Sequence, residues 1–304
     1  MFLDEIARYK REEVALSRLR LPLDALLSRV GNGPFNGTRR FTKALSAPPR
    51  DGLVHIIAEI KRASPSRGMI RPDLDPVDMA RSYQTHGASA ISVLTETRYF
   101  LGDPGYIAKV KGAVDLPVLR KDFIVDPYQI FESKLLGADA ILIIARLVGR
   151  ELEAFVTLAH EIGLECLVEV HSKDELLAAI DTPARVIGIN NRDLETFSVD
   201  LAVTFELAPL VPRDRVIVSE SGIWTSEHVE MVARSGVNAI LVGESLMRAA
   251  DVGKQMRSLK GLPAARGIPA ASGPPAAGGR PQRHELDPVK WGEPEEAGEL
   301  YEHS

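Results

Sequence analysis

Eight short apolar runs, set apart by amphipathic stretches, constrain this chain more than any other feature. They cover residues 53–60, 88–94, 116–121, 138–144, 165–170, 185–190, 215–220 and 238–243 and are rich in Val, Ile and Leu. Several lack the polar alternation of a strand with one wet face, a pattern typical of strands covered on both faces by helices in a parallel sheet. Helix-like segments at 76–86, 128–136, 151–162 and 226–235 lie between them. The first two open at Asp75-Pro76 and Asp126-Pro127, suited to a cap and a first-turn residue. A weak repeat supports the count. His86-Gly87-Ala88-Ser89-Ala90-Ile91, Leu136-Gly137-Ala138-Asp139-Ala140-Ile141 and Ser235-Gly236-Val237-Asn238-Ala239-Ile240 each end a helix on glycine and enter a strand. Eight βα units within roughly 210 residues fit a closed barrel. An open doubly wound sheet is the alternative, but the G-x-G-x-x-G turn that commonly marks its first strand is absent. The expected fold is α/β, a (β/α)8 TIM barrel.

Composition changes on either side of this zone. Residues 1–50 are charged and helix-like, with Ile6, Ala7, Val14, Ala15 and Leu16 at roughly helical spacing. They are expected to form an N-terminal helical extension to a barrel at 51–260. Residues 261–304 are rich in Pro, Ala and Gly and end acidic; they bury too little apolar area to offset ordering, so a disordered C-terminal tail is expected. The net charge of −5 gives no broad basic field, and nucleic acid is not an expected partner. One cysteine, Cys166, sits inside an apolar run; it forms no intrachain disulfide and reads as a small buried hydrophobe. No basic-then-apolar leader opens the sequence, and no apolar stretch reaches the roughly 18 residues of a membrane span. A cytoplasmic protein without membrane contact is expected.

In a barrel of this kind chemistry gathers where strands end. Strand one ends Ile57-Ala58-Glu59-Ile60-Lys61, with Glu59 and Lys61 two apart and so on one face. Strand three ends Leu119-Arg120-Lys121-Asp122-Phe123, strand five Leu167-Val168-Glu169-Val170, strand six Gly188-Ile189-Asn190-Asn191-Arg192-Asp193 and strand seven Val218-Ser219-Glu220-Ser221-Gly222. Any one of these charges could be an ordinary rim ion pair. Lysines and glutamates gathered on one ring can shift each other's pKa and supply both an acid and a base. Ser221-Gly222-Ile223 after strand seven and Gly243-Glu244-Ser245 after strand eight suit phosphate, which such loops bind through backbone N–H groups. Glycine at these turns is read as room for the phosphate oxygens. The long loop Ser64-Pro65-Ser66-Arg67-Gly68 after strand one is a candidate lid. No H-E-x-x-H, paired histidines or Walker sequence occurs, so no metal is expected. His86, His160 and His228 read as solvent-facing, His55 as remote from the rim, and His171, just after strand five, as a structural loop residue.

Many short motifs, in order, resemble the indole-3-glycerol phosphate synthase family over residues 2–258. They are Ile57-Ala58-Glu59-Ile60-Lys61-Arg62-Ala63-Ser64-Pro65-Ser66, Leu94-Thr95-Glu96 with Tyr99-Phe100, Leu119-Arg120-Lys121-Asp122-Phe123, Leu167-Val168-Glu169-Val170, Ile187-Gly188-Ile189-Asn190-Asn191-Arg192-Asp193-Leu194, Ser219-Glu220-Ser221-Gly222-Ile223 and Leu241-Val242-Gly243-Glu244-Ser245-Leu246-Met247. The resemblance implies that residues 1–50 pack over the barrel mouth. It also implies a carbon–carbon lyase of tryptophan biosynthesis that closes the indole ring of 1-(2-carboxyphenylamino)-1-deoxyribulose 5-phosphate with loss of CO2 and water, using no cofactor. Carried over residue by residue, Lys121 is the general acid at the carbonyl oxygen and the departing hydroxyl, Glu169 the general base, and Lys61 the holder of the substrate carboxylate, placed to share the acid role. Glu59 and Glu220 position the lysines and bind hydroxyls, and Asn190 and Arg192 orient intermediates. Phe100, Phe123 and Leu194 form the aromatic slot, and Ser64, Ser221, Gly222, Gly243 and Glu244 bind phosphate, Glu244 through its backbone N–H with its carboxylate turned away. The implied partners are a small phosphorylated substrate and, transiently, other tryptophan-pathway enzymes, with the chain a monomer. Sugar-phosphate isomerase barrels are the nearest alternative, but they work with Cys/Asp or Asp/Asp pairs rather than Lys/Glu. A non-catalytic phosphometabolite-binding barrel would not require Lys61, Lys121 and Glu169 together.

Overall fold

The eight apolar runs pair as eight parallel strands: β1 (His55–Ile60), β2 (Ala90–Leu94), β3 (Val118–Lys121), β4 (Ala140–Ile144), β5 (Glu165–Val170), β6 (Val186–Asn190), β7 (Val216–Glu220) and β8 (Ala239–Val242). Each pairs with its sequence neighbours, and β1 also pairs with β8, with His55 opposite Ala239 and Ile57 opposite Leu241, which closes the barrel. This computed structural model describes residues 2–30 and 40–262. Of the expected tail only Gly261 and Leu262 fall within that range; residues 263–304 lie outside the described residues. Most strands begin one or two residues later than the hydrophobic runs suggest. The leading residues belong to the approach from the preceding turn, and Leu53, counted into the first run, is exposed.

The strands are apolar throughout because two different cores cover them. One set of alternate residues (Ile56, Ala58, Ile141, Val168, Ile187, Ile240) packs against the surrounding helices. The other set (Ile57, Leu119, Leu142, Leu167, Val218, Leu241) points inward and fills the barrel. The crossover helices are α4 (Pro76–Thr85), α5 (Gly105–Lys111), α6 (Pro127–Leu135), α8 (Leu152–Glu161), α9 (Lys173–Ile180), α10 (Ala202–Leu207), α11 (Ser226–Arg234) and α13 (Val252–Leu259), with short helices α7 (Ala145–Val148) and α12 (Glu244–Met247) added after β4 and β8. Asp75 and Asp126 cap α4 and α6, accepting from Val77 N at 2.7 Å and Tyr128 N at 2.8 Å. The repeated glycines Gly87, Gly137 and Gly236 take φ of 79°, 88° and 84°, the left-handed turn that ends each helix and that a side chain would strain.

Three helices precede the barrel: α1 (Phe2–Arg20), α2 (Leu23–Val30) and α3 (Arg40–Ser46). The first lies at the mouth. Phe2 stands edge-on to Tyr99 and Phe197, and buried Lys10 reaches Asp122 Oδ1 at 2.9 Å. Leu26 of α2 packs with Val14 and Tyr128 on the flank. The third helix departs from the expectation that residues 1–50 all cover the mouth. Phe41 and Leu45 join the inner core, and Phe41 N and Thr42 N donate to Glu165 at 2.6 and 2.9 Å. Glu165 opens β5, at the end remote from Glu169, so α3 closes the bottom of the barrel. The physical reason is mutual need: a helix start has unpaired N–H groups, and a buried carboxylate must have donors.

Candidate active site

The inward register that packs the barrel becomes polar where the strands end. Ile57 is followed on its face by Glu59 and Lys61, Leu119 by Lys121 and Phe123, Leu167 by Glu169, Gly188 by Asn190, Val218 by Glu220, and Leu241 by Gly243. A period of two thus converts an apolar layer into a ring of charge one step higher. All the residues singled out in the sequence line one cleft at this end: Glu59, Lys61, Ser64, Phe100, Lys121, Phe123, Glu169, Asn190, Arg192, Leu194, Glu220, Ser221, Gly222, Gly243 and Glu244. Phe2 and Phe197 also line it.

At the centre, Lys121 Nζ lies 3.3 Å from Glu169 Oε2 and 3.6 Å from Glu220 Oε2. Beside it Lys61 Nζ lies 2.7 Å from Glu59 Oε1. Two lysines therefore face three carboxylates, and the carboxylates resolve this unequally. Burial alone would push the Glu169 carboxyl up, but Lys121, His171 and Asn190 hold it far below the usual carboxylate range. Burial pushes Glu220 up, Glu169 and Glu59 add to the rise, and Lys121 only partly opposes it, leaving its carboxyl at about 8. Neither Glu220 oxygen has a hydrogen-bond partner. Burial works against charge on Lys121, yet Glu169, Glu220 and Glu59 raise its pKa above the ordinary lysine value. One ring thus sets a lysine between a carboxyl pushed down by its neighbours and a carboxyl pushed up by burial, the separation of pKa values that acid–base chemistry needs.

The second oxygen of Glu169 accepts from Asn190 Nδ2 at 3.1 Å, and Asn190 Oδ1 accepts from Arg192 N at 3.0 Å. On the apolar side Phe100 and Phe123 lie 6.0 Å apart, tilted by 41°, with Leu194 packed on the same cluster. At the opposite side Ser221 and Gly222 both have positive φ, 67° and 80°. A serine held in this region is unusual and marks a turn fixed by its surroundings. Ser245 Oγ is buried with no hydrogen-bond partner and lines the cleft.

Glycine at 222 and 243 has a use besides the room for phosphate oxygens expected of it: a Cβ at Gly243 would collide with Glu59 Oε1, and one at Gly222 with Val199. The Glu244 side chain does turn to cations: its oxygens lie 2.9 Å from Arg67 Nε, 3.4 Å from Arg248 Nη1 and 3.8 Å from Arg192 Nη2. Arg67 is carried on the turn of a short hairpin (Ala63–Ser64 with Gly68–Met69), so Glu244 ties the loop after β1 to the loops after β6 and β8.

Gly188, Ser245 and His171 were missed as site residues. A Cβ at Gly188 would occupy the place of Glu220 Oε1; a glycine within an apolar strand was the available signal. His171 sits against Glu169 rather than serving only the loop, with Nε2 3.3 Å from Glu169 Oε1. Of the histidines read as solvent-facing, His86 is exposed while His160 and His228 are half-buried. Among the described residues no group of three or more His, Cys, Asp or Glu could hold a metal, and no helix is long and apolar enough to cross a membrane.

The family model for indole-3-glycerol phosphate synthase matches residues 3–259. A protein of that name from Alkaliphilus metalliredigens (strain QYMF) is 45% identical over 261 residues, covering 86% of this chain and 98% of its own. Another from Dehalococcoides mccartyi (strain ATCC BAA-2100) is 46% identical over 263 residues, covering 85% and 100%. Among solved structures, a thiamine phosphate pyrophosphorylase from Pyrococcus furiosus superposes with a TM-score of 0.53 at 20% identity, over 70% of this chain and 96% of its own. A tryptophan synthase alpha-subunit from the same organism superposes at 0.55 and 14% identity, over 70% and 99%. At such identities these two likenesses speak to fold alone.

Proposed function

This chain belongs to the indole-3-glycerol phosphate synthase family, decarboxylating lyases of tryptophan biosynthesis, and from that premise we propose how its own residues divide the ring closure. The substrate phosphate sits by the loops after β7 and β8, held by Ser64, Ser221, the backbone of Gly222, Gly243 and Glu244, and the free hydroxyl of Ser245. The anilino ring lies between Phe100, Phe123 and Leu194, and Lys61 holds the carboxylate with Glu59 steadying it.

The ring carbon bearing the carboxylate attacks the ribulose carbonyl carbon. Lys121 gives its proton to the carbonyl oxygen, where negative charge would otherwise build. The bond to CO2 then breaks and its electrons restore the ring. In the last stage Lys121, reprotonated from solvent, protonates the hydroxyl, which departs as water, while Glu169 takes the proton from the adjacent ribulose carbon and then returns it to Lys121, so that one solvent proton is consumed for each CO2 released. Asn190 and Arg192 orient the intermediates, and Glu220 supports Lys121 and binds a hydroxyl. The scheme draws on no cofactor. We place the enzyme in the cytoplasm as a monomer with transient contacts to other tryptophan-pathway enzymes, a reading supported by the family's biosynthetic role.

The observation that carries this assignment is Lys121 Nζ at the centre of the cleft, 3.3 Å from Glu169 Oε2 and 3.6 Å from Glu220 Oε2. Conversion of the carboxyphenylamino substrate, followed by indole fluorescence, tests it. Lys121→Ala should lower turnover by ~10²–10⁴-fold or more. Turnover near the parent's would reject the role.

A further inference from the structure

The ring of His171 stands between two carboxylates on two different elements. Its Nε2 is 3.3 Å from Glu169 Oε1 at the end of β5, and its Nδ1 is 3.2 Å from Glu175 Oε2 in the first turn of α9. Glu175 is itself pinned, since the same Oε2 accepts from the backbone N of His171 at 2.8 Å. The His171 side chain is largely buried, and it stands behind Glu169 rather than on the cleft wall. Local capping explains part of this: Ser172 caps α9, accepting from Glu175 N, and Glu175 reaches back to the backbone that enters the helix. Capping uses only the backbone of His171. It gives no reason for the imidazole to be turned so that one nitrogen meets the cleft carboxylate and the other meets the cap.

We propose that His171, oriented by Glu175, is a positioning residue that holds Glu169 in its working pose. This rests on the reading of Glu169 as the base. The Glu169 carboxylate has two competing claims. Lys121 draws Oε2 at 3.3 Å, while Asn190 and His171 hold Oε1 at 3.1 and 3.3 Å. An acid and a base side by side tend to collapse into a closed ion pair that serves neither role. The hydrogen bond from Asn190 and the charge of His171 beside the far oxygen resist that collapse and keep Oε2 directed at the cleft. The His171–Glu169 contact has ion-pair length without hydrogen-bond alignment, so its effect is chiefly electrostatic. It also places a third cation beside the carboxylates that two lysines do not fully balance. Burial would lower the imidazole's pKa, but Glu169 and Glu175 push it up to about 10, so both nitrogens carry protons at neutral pH, as the two carboxylate contacts require. An outer-shell orienter behind a reacting group follows the same logic as the carboxylate–histidine pairs of metal and triad sites.

The test is a double-mutant cycle by steady-state kinetics with the full chain: His171→Asn, Glu169→Gln and both together. His171→Asn should lower kcat ~10–100-fold, with KM within about threefold of the parent because the ring does not line the substrate cleft. In the Glu169→Gln background the same change should cost little further, since its target is gone. Glu175→Gln should reproduce a smaller kcat loss at unchanged KM, and it serves as the probe if His171→Asn does not fold. A kcat within twofold of the parent in both His171→Asn and Glu175→Gln, with Glu169→Gln impaired, overturns the proposal and leaves the base assignment standing. Full multiplicative loss in the double variant also overturns it, since His171 would then act independently of Glu169. Parental activity in Glu169→Gln overturns the base assignment itself and the proposal with it.

Discussion

Replacing Glu220 by Gln should stabilise the folded chain, and more at pH 9 than at pH 5. Both Glu220 oxygens are buried without a hydrogen-bond partner, and burial together with Glu169 and Glu59 moves the carboxyl from 4.5 to about 8. The unfolded chain releases this proton near 4.5. Between the two values the folded state holds a proton that the unfolded state has lost, so stability declines as pH rises, and the decline is complete above about 8. At 1.36 kcal/mol per pKa unit the full difference is ~5 kcal/mol. Relaxation and water entry in a charge cluster reduce such values, leaving ~2 kcal/mol. Glutamine keeps the shape and carries no charge, so it removes this penalty, while Lys121 retains Glu169 at 3.3 Å. For a domain of this size ~2 kcal/mol corresponds to roughly 4–8 °C in Tm at pH 9, and the gain should nearly vanish at pH 5. His171 also loses its contribution as pH climbs from 6.5 to about 10, but in both proteins, so the difference between them isolates Glu220. Thermal melts of both proteins at pH 5, 7 and 9, read by far-UV circular dichroism, give the result. An equal change in Tm at all three pH values, or a loss that deepens with pH, would show that Glu220 ionises at no cost, and the charge ordering drawn for the cleft would fail.

Three further outcomes follow from the same geometry. Gly188→Ala puts a Cβ where Glu220 Oε1 lies, and kcat should fall ~10-fold or more through misplacement of the charge ring, with an unchanged circular dichroism spectrum; parental kcat would show that the barrel yields without moving Glu220. Gly243→Ala should displace Glu59 from Lys61 and raise KM for the anionic substrate, and an unchanged KM would mean that the Glu59–Lys61 pair does not govern binding. Lys10→Met should cost ~3 kcal/mol in urea unfolding by leaving buried Asp122 without one of its two cations; a loss below ~1 kcal/mol would mean that Arg120 alone satisfies it.

The barrel was legible because its strands are covered on both sides, which leaves continuous apolar runs in the sequence, and because turn glycines such as Gly87 and Gly137 punctuate them. The charge ring was legible by the same period of two that carries Leu119 to Lys121 and Val218 to Glu220. What sequence could not carry depends on contacts distant along the chain. The seat of α3 against Glu165 joins residues 124 apart, as the separation of Phe41 and Glu165 shows. Nothing local to Gly243 reveals that Glu59 leans against it. His171 was discounted as a lone histidine, although Glu169 two residues before it and Glu175 four residues after it form a readable spacing.

The helix that closes the bottom of the barrel has a consequence for synthesis. The segment bearing Phe41 and Leu45 is made early, yet its seat is built from Glu165 of β5 and from β7, in a barrel that closes only when β8 pairs with β1. At 5–20 residues per second a ribosome needs roughly 10–40 s to travel from Ser46 to Val242. For that interval Phe41 and Leu45 wait beside an unfinished barrel with no place to dock. Their helix is made before every strand of the barrel and is among the last parts able to take its place, and until then it presents to the cell the kind of surface that chaperones recognise.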